Sequence, residues 1–238
     1  MPLMFPLRIP VLTPLLLAAC LLQPARAQSY CASDGQSRPV VLVERFINAD
    51  CRDCWADPAT VRPRPRELVL DWILPGTHGE DAPLAAVATR DGLKRLQALG
   101  TAPPAGSSSL RTTVNVGKGR LRVAHGLPVS GYIGASIEYK KVPADAVGQP
   151  WSAWLALVET IPIGTEGTPV ARHLVRNLIQ PIWDGRKQLL KQEHQNFIES
   201  RSMDIPPGMN TNRVRVIGWV QDAQGRIVAA AQSRCTGR

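Results

Sequence analysis

The chain has 238 residues, 44% of them hydrophobic, and a formal charge of +9. That length supports one large domain or two small ones. The charges are scattered, which reads first as a solvated basic surface and second as a weak contact for anionic envelope polymers or membrane surfaces; no nucleic-acid recognition motif occurs, so nucleic acid is not an expected partner.

The first elements concern export. A short positive start, MPLMFPLR, precedes the apolar IPVLTPLLLAACLLQ and the small-x-small site Ala25-Arg26-Ala27. This is the pattern of a secretory signal peptide over residues 1–27. Pro10, Pro14 and the shortness of the apolar stretch argue against a spanning helix. Leu17-Ala18-Ala19-Cys20 also resembles a lipobox, which would tether the protein through a lipid on Cys20. The expected location is the bacterial periplasm or the exterior. Cleavage after Ala27 leaves 26 basic against 19 acidic residues, or +7.

The mature chain reads as two halves, 28–120 and 121–238. PVVLVERFI (39–47) is a buried strand by its β-branched, apolar run. CRDCWADPAT follows as a short helix with Cys51 at its start, stopped by the prolines of RPRPR. ELVLDWIL (67–74) is the next strand. Residues 81–99 place Leu84, Val87, Leu93, Leu96 and Leu99 near helical spacing, with Gly100 as the stop and Asp91-Gly92 weakening the middle. APPAGSSS (102–109) reads as a loop, and RTTVNV (111–116) as a strand before the turn Gly117-Lys118-Gly119. This β-α-β-α-β order points to an α/β layer.

From about residue 121 the period becomes two. In GYIGASIEYKK, Ile133, Ala135, Ile137 and Tyr139 share one face. WSAWLALVET, VARHLVRNLI and RVRVIGWV read as further strands, with Trp151 and Trp154 on opposite faces. QDAQG joins the last of these to RIVAAAQ as a hairpin. Several strands without a long helix predict an antiparallel sandwich.

Four cysteines remain after export: Cys31, Cys51, Cys54 and Cys235. An even count in an oxidising compartment predicts two disulfides, and four cysteines allow three pairings. Cys51 with Cys54 is the local choice. It leaves Cys31 and Cys235 to tie the two ends of the mature chain together as a structural bond.

A strand with Phe46, then four residues, then Cys-x-x-Cys at a helix start and Pro58 shortly after, resembles the active-site segment of the thioredoxin superfamily. ATRDGLKRLQALG (88–100), TTVNVGKG (112–119) and VIGWVQDAQGRIVAAAQSRC (216–235) extend the likeness. They resemble a group of bacterial exported proteins of unknown function with a thioredoxin-like N-terminal domain and a β-rich C-terminal one. The resemblance implies an α+β protein: a thioredoxin-like α/β domain over 28–120, then a β-sandwich-like domain over 121–238. It implies thiol–disulfide oxidoreductase activity with Cys51 as nucleophile and Cys54 as resolving thiol, acting on protein thiols or disulfides, without a cofactor. Helix N–H groups favour a thiolate at Cys51, and Cys54 then resolves the mixed disulfide. The proline that such enzymes set against their cysteines has no counterpart in Ser109-Leu110-Arg111-Thr112-Thr113. The competing reading is a non-catalytic envelope scaffold in which both disulfides are structural.

Other chemistry finds less support. Two thiolates are half of a structural zinc site, and His78, His125, His173 and His194 are isolated in sequence. His78 is the histidine a thioredoxin-like fold would bring toward Cys51. There is no Gly-x-Ser-x-Gly elbow or phosphate loop. Arg62, Arg64 and Arg66 in RPRPR read as a solvated extended link.

Overall fold

VLVERFIN (41–48) and ELVLDWIL (67–74) are apolar on both faces, and strands of that kind belong inside a covered sheet. A computed structural model of the chain places both there. The structure describes residues 31–117, 119–140, 150–184 and 196–235. The expected signal peptide over 1–27 with Cys20, and Lys118 and His194, lie outside these residues.

In chain order the elements are β1 (Cys31–Ala32), β2 (Val41–Asn48), α1 (Arg52–Ala56), β3 (Glu67–Leu74), α2 (Asp91–Ala98), β4 (Ser107–Thr113), β5 (Arg120–Val129) and β6 (Tyr132–Lys140). Then follow β7 (Pro150–Ile161), β8 (Arg172–Ile179), β9 (Ile182–Asp184), β10 (Asn196–Asp204), β11 (Val214–Gln221), β12 (Ile227–Gln232) and β13 (Arg234–Cys235). They form two sheets. The five-stranded sheet has the order β10-β6-β5-β1-β13, and the eight-stranded sheet runs β12-β11-β7-β8-β3-β2-β4, with β9 paired to β7.

The expected α+β class, with a thioredoxin-like α/β layer ahead of a separate sandwich, is corrected by this topology. The described chain is mostly strand, and its two α-helices span five and eight residues. The reason is local. Asp57-Pro58 stops α1 at Ala56, and the predicted helix over 81–99 forms as short 3₁₀ turns at Gly79–Asp81 and Ala85–Val87 before α2. Two such helices cannot cover a sheet on both faces. The five-stranded sheet covers part of one face, and β8, which pairs in parallel with β3 at Asp71 and Leu174, continues the eight-stranded sheet across residue 120.

The side-chain alternation along β7 shows how the layers join. Trp151, Ala153, Leu155 and Leu157 meet Ile133, Ala135, Ile137 and Tyr139 of the five-stranded sheet in one core. Trp154, Ala156 and Val158 face the other way and pack with Leu42, Phe46, Trp72 and Leu96 in a second core beneath α2. Trp154 and Trp219 stack there, with ring centroids 5.6 Å apart. Helix α2 lies close on β3: a Cβ at Gly92 would sit 2.6 Å from Leu74 Cδ2. It is fastened by Arg95, which donates to both carboxylate oxygens of Glu44 at 2.8 Å and stacks over Trp154 and Trp219. No helix among the described residues is long and apolar enough to cross a membrane.

Candidate functional site

The turn after β2 is built by its own polar residues. Cys51 N–H donates to Asn48 O at 3.0 Å, and Asn48 Oδ1 accepts from Asp50 N–H at 2.9 Å. The Asp50 carboxylate accepts from Thr77 N–H and Oγ1–H at 2.7 and 2.8 Å, and from His78 N–H at 3.3 Å. Desolvation pushes the Asp50 carboxyl up, but these bonds outweigh it and hold the group below its ordinary range. His78 is thereby engaged with Asp50, its Nδ1 3.1 Å from Oδ1.

Cys51 caps α1, and the Cys54 N–H donates to its sulfur at 3.3 Å. Cys51 and Cys54 are joined in a disulfide, each partly exposed. Gly106 lies against this bond: a Cβ there would come 3.2 Å from Cys54 Sγ and 3.7 Å from Cys51 Sγ. Its carbonyl accepts from Asn48 N–H at 2.8 Å, so the residue just before β4 closes over the sulfurs with backbone alone. Ser109 to Thr113, where the resemblance places a proline, lie further along β4. All described peptide bonds are trans.

Beneath α1 is a buried ionic cluster. Arg172 Nη2 donates to Trp55 O at 2.6 Å and to Cys54 O at 3.2 Å, and its guanidinium stacks on the Trp55 ring. Nη1 is 3.5 Å from Asp71 Oδ1, while Asp71 Oδ2 accepts from Arg45 and from His173 N–H. Arg45 also donates to Val61 O at 2.9 Å and to Ala171 O at 3.1 Å. Burial lowers the Arg172 pKa, and Asp71 opposes that shift. Next to it, burial and the nearby Arg215 push His173 down to about 3.

A cleft of about 230 Å³ opens between the Asp57–Val61 segment and β4. Its lining includes Cys54, the three serines Ser107, Ser108 and Ser109, and the buried Arg45 and Arg172. The disulfide therefore borders a polar cleft rather than an apolar pocket.

Cys31 and Cys235 form the second disulfide, 204 positions apart, and their strands pair directly. His125 stands beside them, its ligand nitrogen within 4.8 Å of both sulfurs. With the sulfurs bonded to each other, neither is a thiolate ligand for a metal.

The functional neighbourhood thus includes Gly106, Arg45, Asp71 and Arg172, which the motif reading did not single out. Charged residues inside apolar strands were the available signal: Glu44-Arg45 in VLVERFIN, Asp71 in ELVLDWIL and Arg172 in VARHLVRNLI. A buried charge needs a partner, and three strands each offering one make a shared network a natural expectation. Gly106 carries no comparable signal.

No protein-family model matches the chain, and no curated protein matches it. Among solved structures, HBP35 of Porphyromonas gingivalis is similar at 14% identity over 83% of this chain and 76% of that one, with a TM-score of 0.49. An endonuclease/exonuclease/phosphatase from Beutenbergia cavernae DSM 12333 is similar at 14% identity over 55% of this chain and 30% of that one, with a TM-score of 0.26. Both likenesses are too distant to bear on the chemistry of the cleft.

Proposed function

We propose that the protein is an exported thiol–disulfide oxidoreductase acting through Cys51 and Cys54. The observation that carries this reading is the placement of the disulfide: partly exposed, with Cys54 lining a polar cleft and its N–H on the Cys51 sulfur. In the reduced protein that N–H supports a thiolate at Cys51. The thiolate attacks a partner disulfide, one partner sulfur leaves as a thiolate and takes up a proton, and a mixed disulfide forms. Cys54, deprotonated, then attacks Cys51 Sγ and releases the second partner thiolate, so the partner gains the two electrons that the cysteine pair loses. Run backwards, the same steps oxidise a partner dithiol. Two disulfides fit an oxidising compartment, and a periplasmic or secreted location with a protein as redox partner completes the proposal.

A structural role for the same disulfide draws on Arg172, whose bonds to the Cys54 and Trp55 carbonyls hold α1 in place. One experiment separates the two. The reduction potential of the Cys51–Cys54 pair is measured against a thiol buffer, and a Cys54→Ala variant is offered a disulfide-bonded protein. A potential above about −300 mV with a trapped mixed disulfide supports exchange, whereas a lower potential with nothing trapped assigns the bond to structure.

A further inference from the structure

Strand β4 is the outer strand of the eight-stranded sheet, and its sequence, SSSLRTT, is exposed along almost its whole length. The register with β2 runs from Ile47 opposite Ser107 to Val41 opposite Thr113. The bonds Asn48 N–H to Gly106 O and Val114 N–H to Val40 O fix which residues face β2. Even-numbered positions from 106 to 114 exchange hydrogen bonds with it, so Ser107, Ser109, Arg111 and Thr113 turn their N–H and C=O groups outward. Among the described residues nothing bonds these outward groups. An open edge of this kind is a template for an added strand.

Two further features give that edge a direction and a charge preference. Its first residue, Ser107, follows Gly106, which lies against the Cys51–Cys54 sulfurs, and Ser107 and Ser109 line the same cleft as Cys54. A strand laid along β4 would therefore bring one end to the disulfide. The far end of β4 is basic. Arg111 reaches the carbonyl of Arg62 at 3.3 Å and pairs with Glu67. Arg38, Arg62, Arg64 and Arg66 are all exposed, and none makes an ion pair among the described residues. Arg66 Nε donates to the Arg38 carbonyl at 3.1 Å, and Glu67, which Arg111 engages, also accepts from the Arg64 N–H, so four guanidinium groups stand there without a carboxylate partner among the described residues.

We propose that the β4 edge takes an extended, acidic segment of the partner protein as an added strand, and so presents a partner sulfur to the Cys51–Cys54 disulfide. The delivery step rests on the exchange reaction proposed above, but the docking step does not. Main-chain bonds from Ser107, Ser109 and Arg111 supply affinity without a demand on sequence. Selection comes from carboxylates meeting the arginines of RPRPR and Arg38.

The docking is tested on the oxidised protein with a cysteine-free probe, so that no thiol chemistry contributes. The probe is a fluorescent eight-residue peptide alternating Glu and Val. The expected results are saturable binding that weakens with salt, and loss of at least about tenfold in affinity on N-methylation of alternate peptide amides, since each blocked strand bond is lost outright. Ser109→Pro removes an outward N–H without touching the β2 ladder and should weaken binding similarly, with the circular dichroism spectrum checking the fold. Amide exchange at Ser107, Ser109 and Arg111 should be fast in the free protein and slow with peptide. Equal binding of a Lys/Val peptide, indifference to N-methylation, or amides already protected in the free protein would overturn the proposal. The first two outcomes would leave at most a non-strand contact, and the third would show the edge covered by the chain itself. Peptide binding with an unreactive disulfide would overturn only the exchange reaction. A reactive disulfide without peptide binding would overturn only the docking.

Discussion

Arg172 reaches the carbonyl of Cys54 from a strand 118 positions away in the chain. The disulfide is thus held from beneath by a residue of β8, through bonds that also engage Trp55 O, Thr60 and Asp71. Replacing Arg172 by Met leaves the Trp55 carbonyl without this buried donor, while Asp71 keeps Arg45 and the His173 N–H. The expected loss is about 1–3 kcal/mol of unfolding free energy, the range for an unsatisfied buried acceptor, because Arg45 still compensates the Asp71 charge. The freed α1 should also let a small thiol reduce Cys51–Cys54 faster. Denaturant unfolding and a timed alkylation assay check the two effects.

Gly106 is the residue that keeps the sulfurs accessible. Gly106→Val places a branched side chain within 3.2 Å of Cys54 Sγ. The backbone at this position is not left-handed, so the substitution acts through crowding rather than strain. Reduction of the Cys51–Cys54 bond by a small thiol should slow several-fold, with a much smaller change in the unfolding midpoint. An unchanged rate would mean that attack comes from a side Gly106 does not guard.

Glu44 and Arg95 form a two-pronged buried pair, both side chains fully out of solvent. Glu44→Gln leaves Arg95 with an uncompensated charge and should cost about 3–5 kcal/mol. The double variant Glu44→Leu with Arg95→Met should lose less than the single one, because an apolar pair of similar size replaces both charges. A double-mutant cycle by denaturant unfolding checks this.

His173 makes stability depend on pH. Its folded pKa is lowered to about 3, first by burial and then by Arg215, from an ordinary 6.5. Below 6.5 the unfolded chain takes up a proton that the folded one refuses, so stability falls as pH drops from about 6.5 toward 3 and is complete above 6.5. Partial exposure of the ring limits the effect to on the order of 2 kcal/mol. His173→Asn keeps an acceptor for Arg215 and should flatten that part of the pH–stability curve, read by denaturant unfolding at each pH.

Strands with a clear apolar signature were legible in the sequence. ELVLDWIL was read at the bounds that β3 has, and the buried face of Ile133, Ala135, Ile137 and Tyr139 followed from alternation alone. β4 was not, because SSSLRTT is exposed and lacks the apolar alternation that marks a half-buried strand; its first residues read as loop. The fold class was misjudged for a different reason. Whether β3 ends a small sheet or continues one depends on its pairing with β8, and a contact between Asp71 and Leu174 leaves no local trace. The Cys-x-x-Cys segment was legible as a turn and helix start. The surroundings of its disulfide, Gly106 and the Arg45–Asp71–Arg172 cluster, come from four separate segments.

The pairing of β1 with β13 has a mechanical consequence. Cys31 and Cys235 are register partners as well as disulfide partners. Tension applied to the chain outside these two residues passes from one to the other through a covalent bond and the backbone beside it. The sheets, the cleft and the second disulfide all lie within the loop so closed, and they carry none of the load. A pulling experiment with handles attached outside Cys31 and Cys235 should find the enclosed chain inextensible until that bond is reduced, and should record the unfolding of both sheets only afterwards.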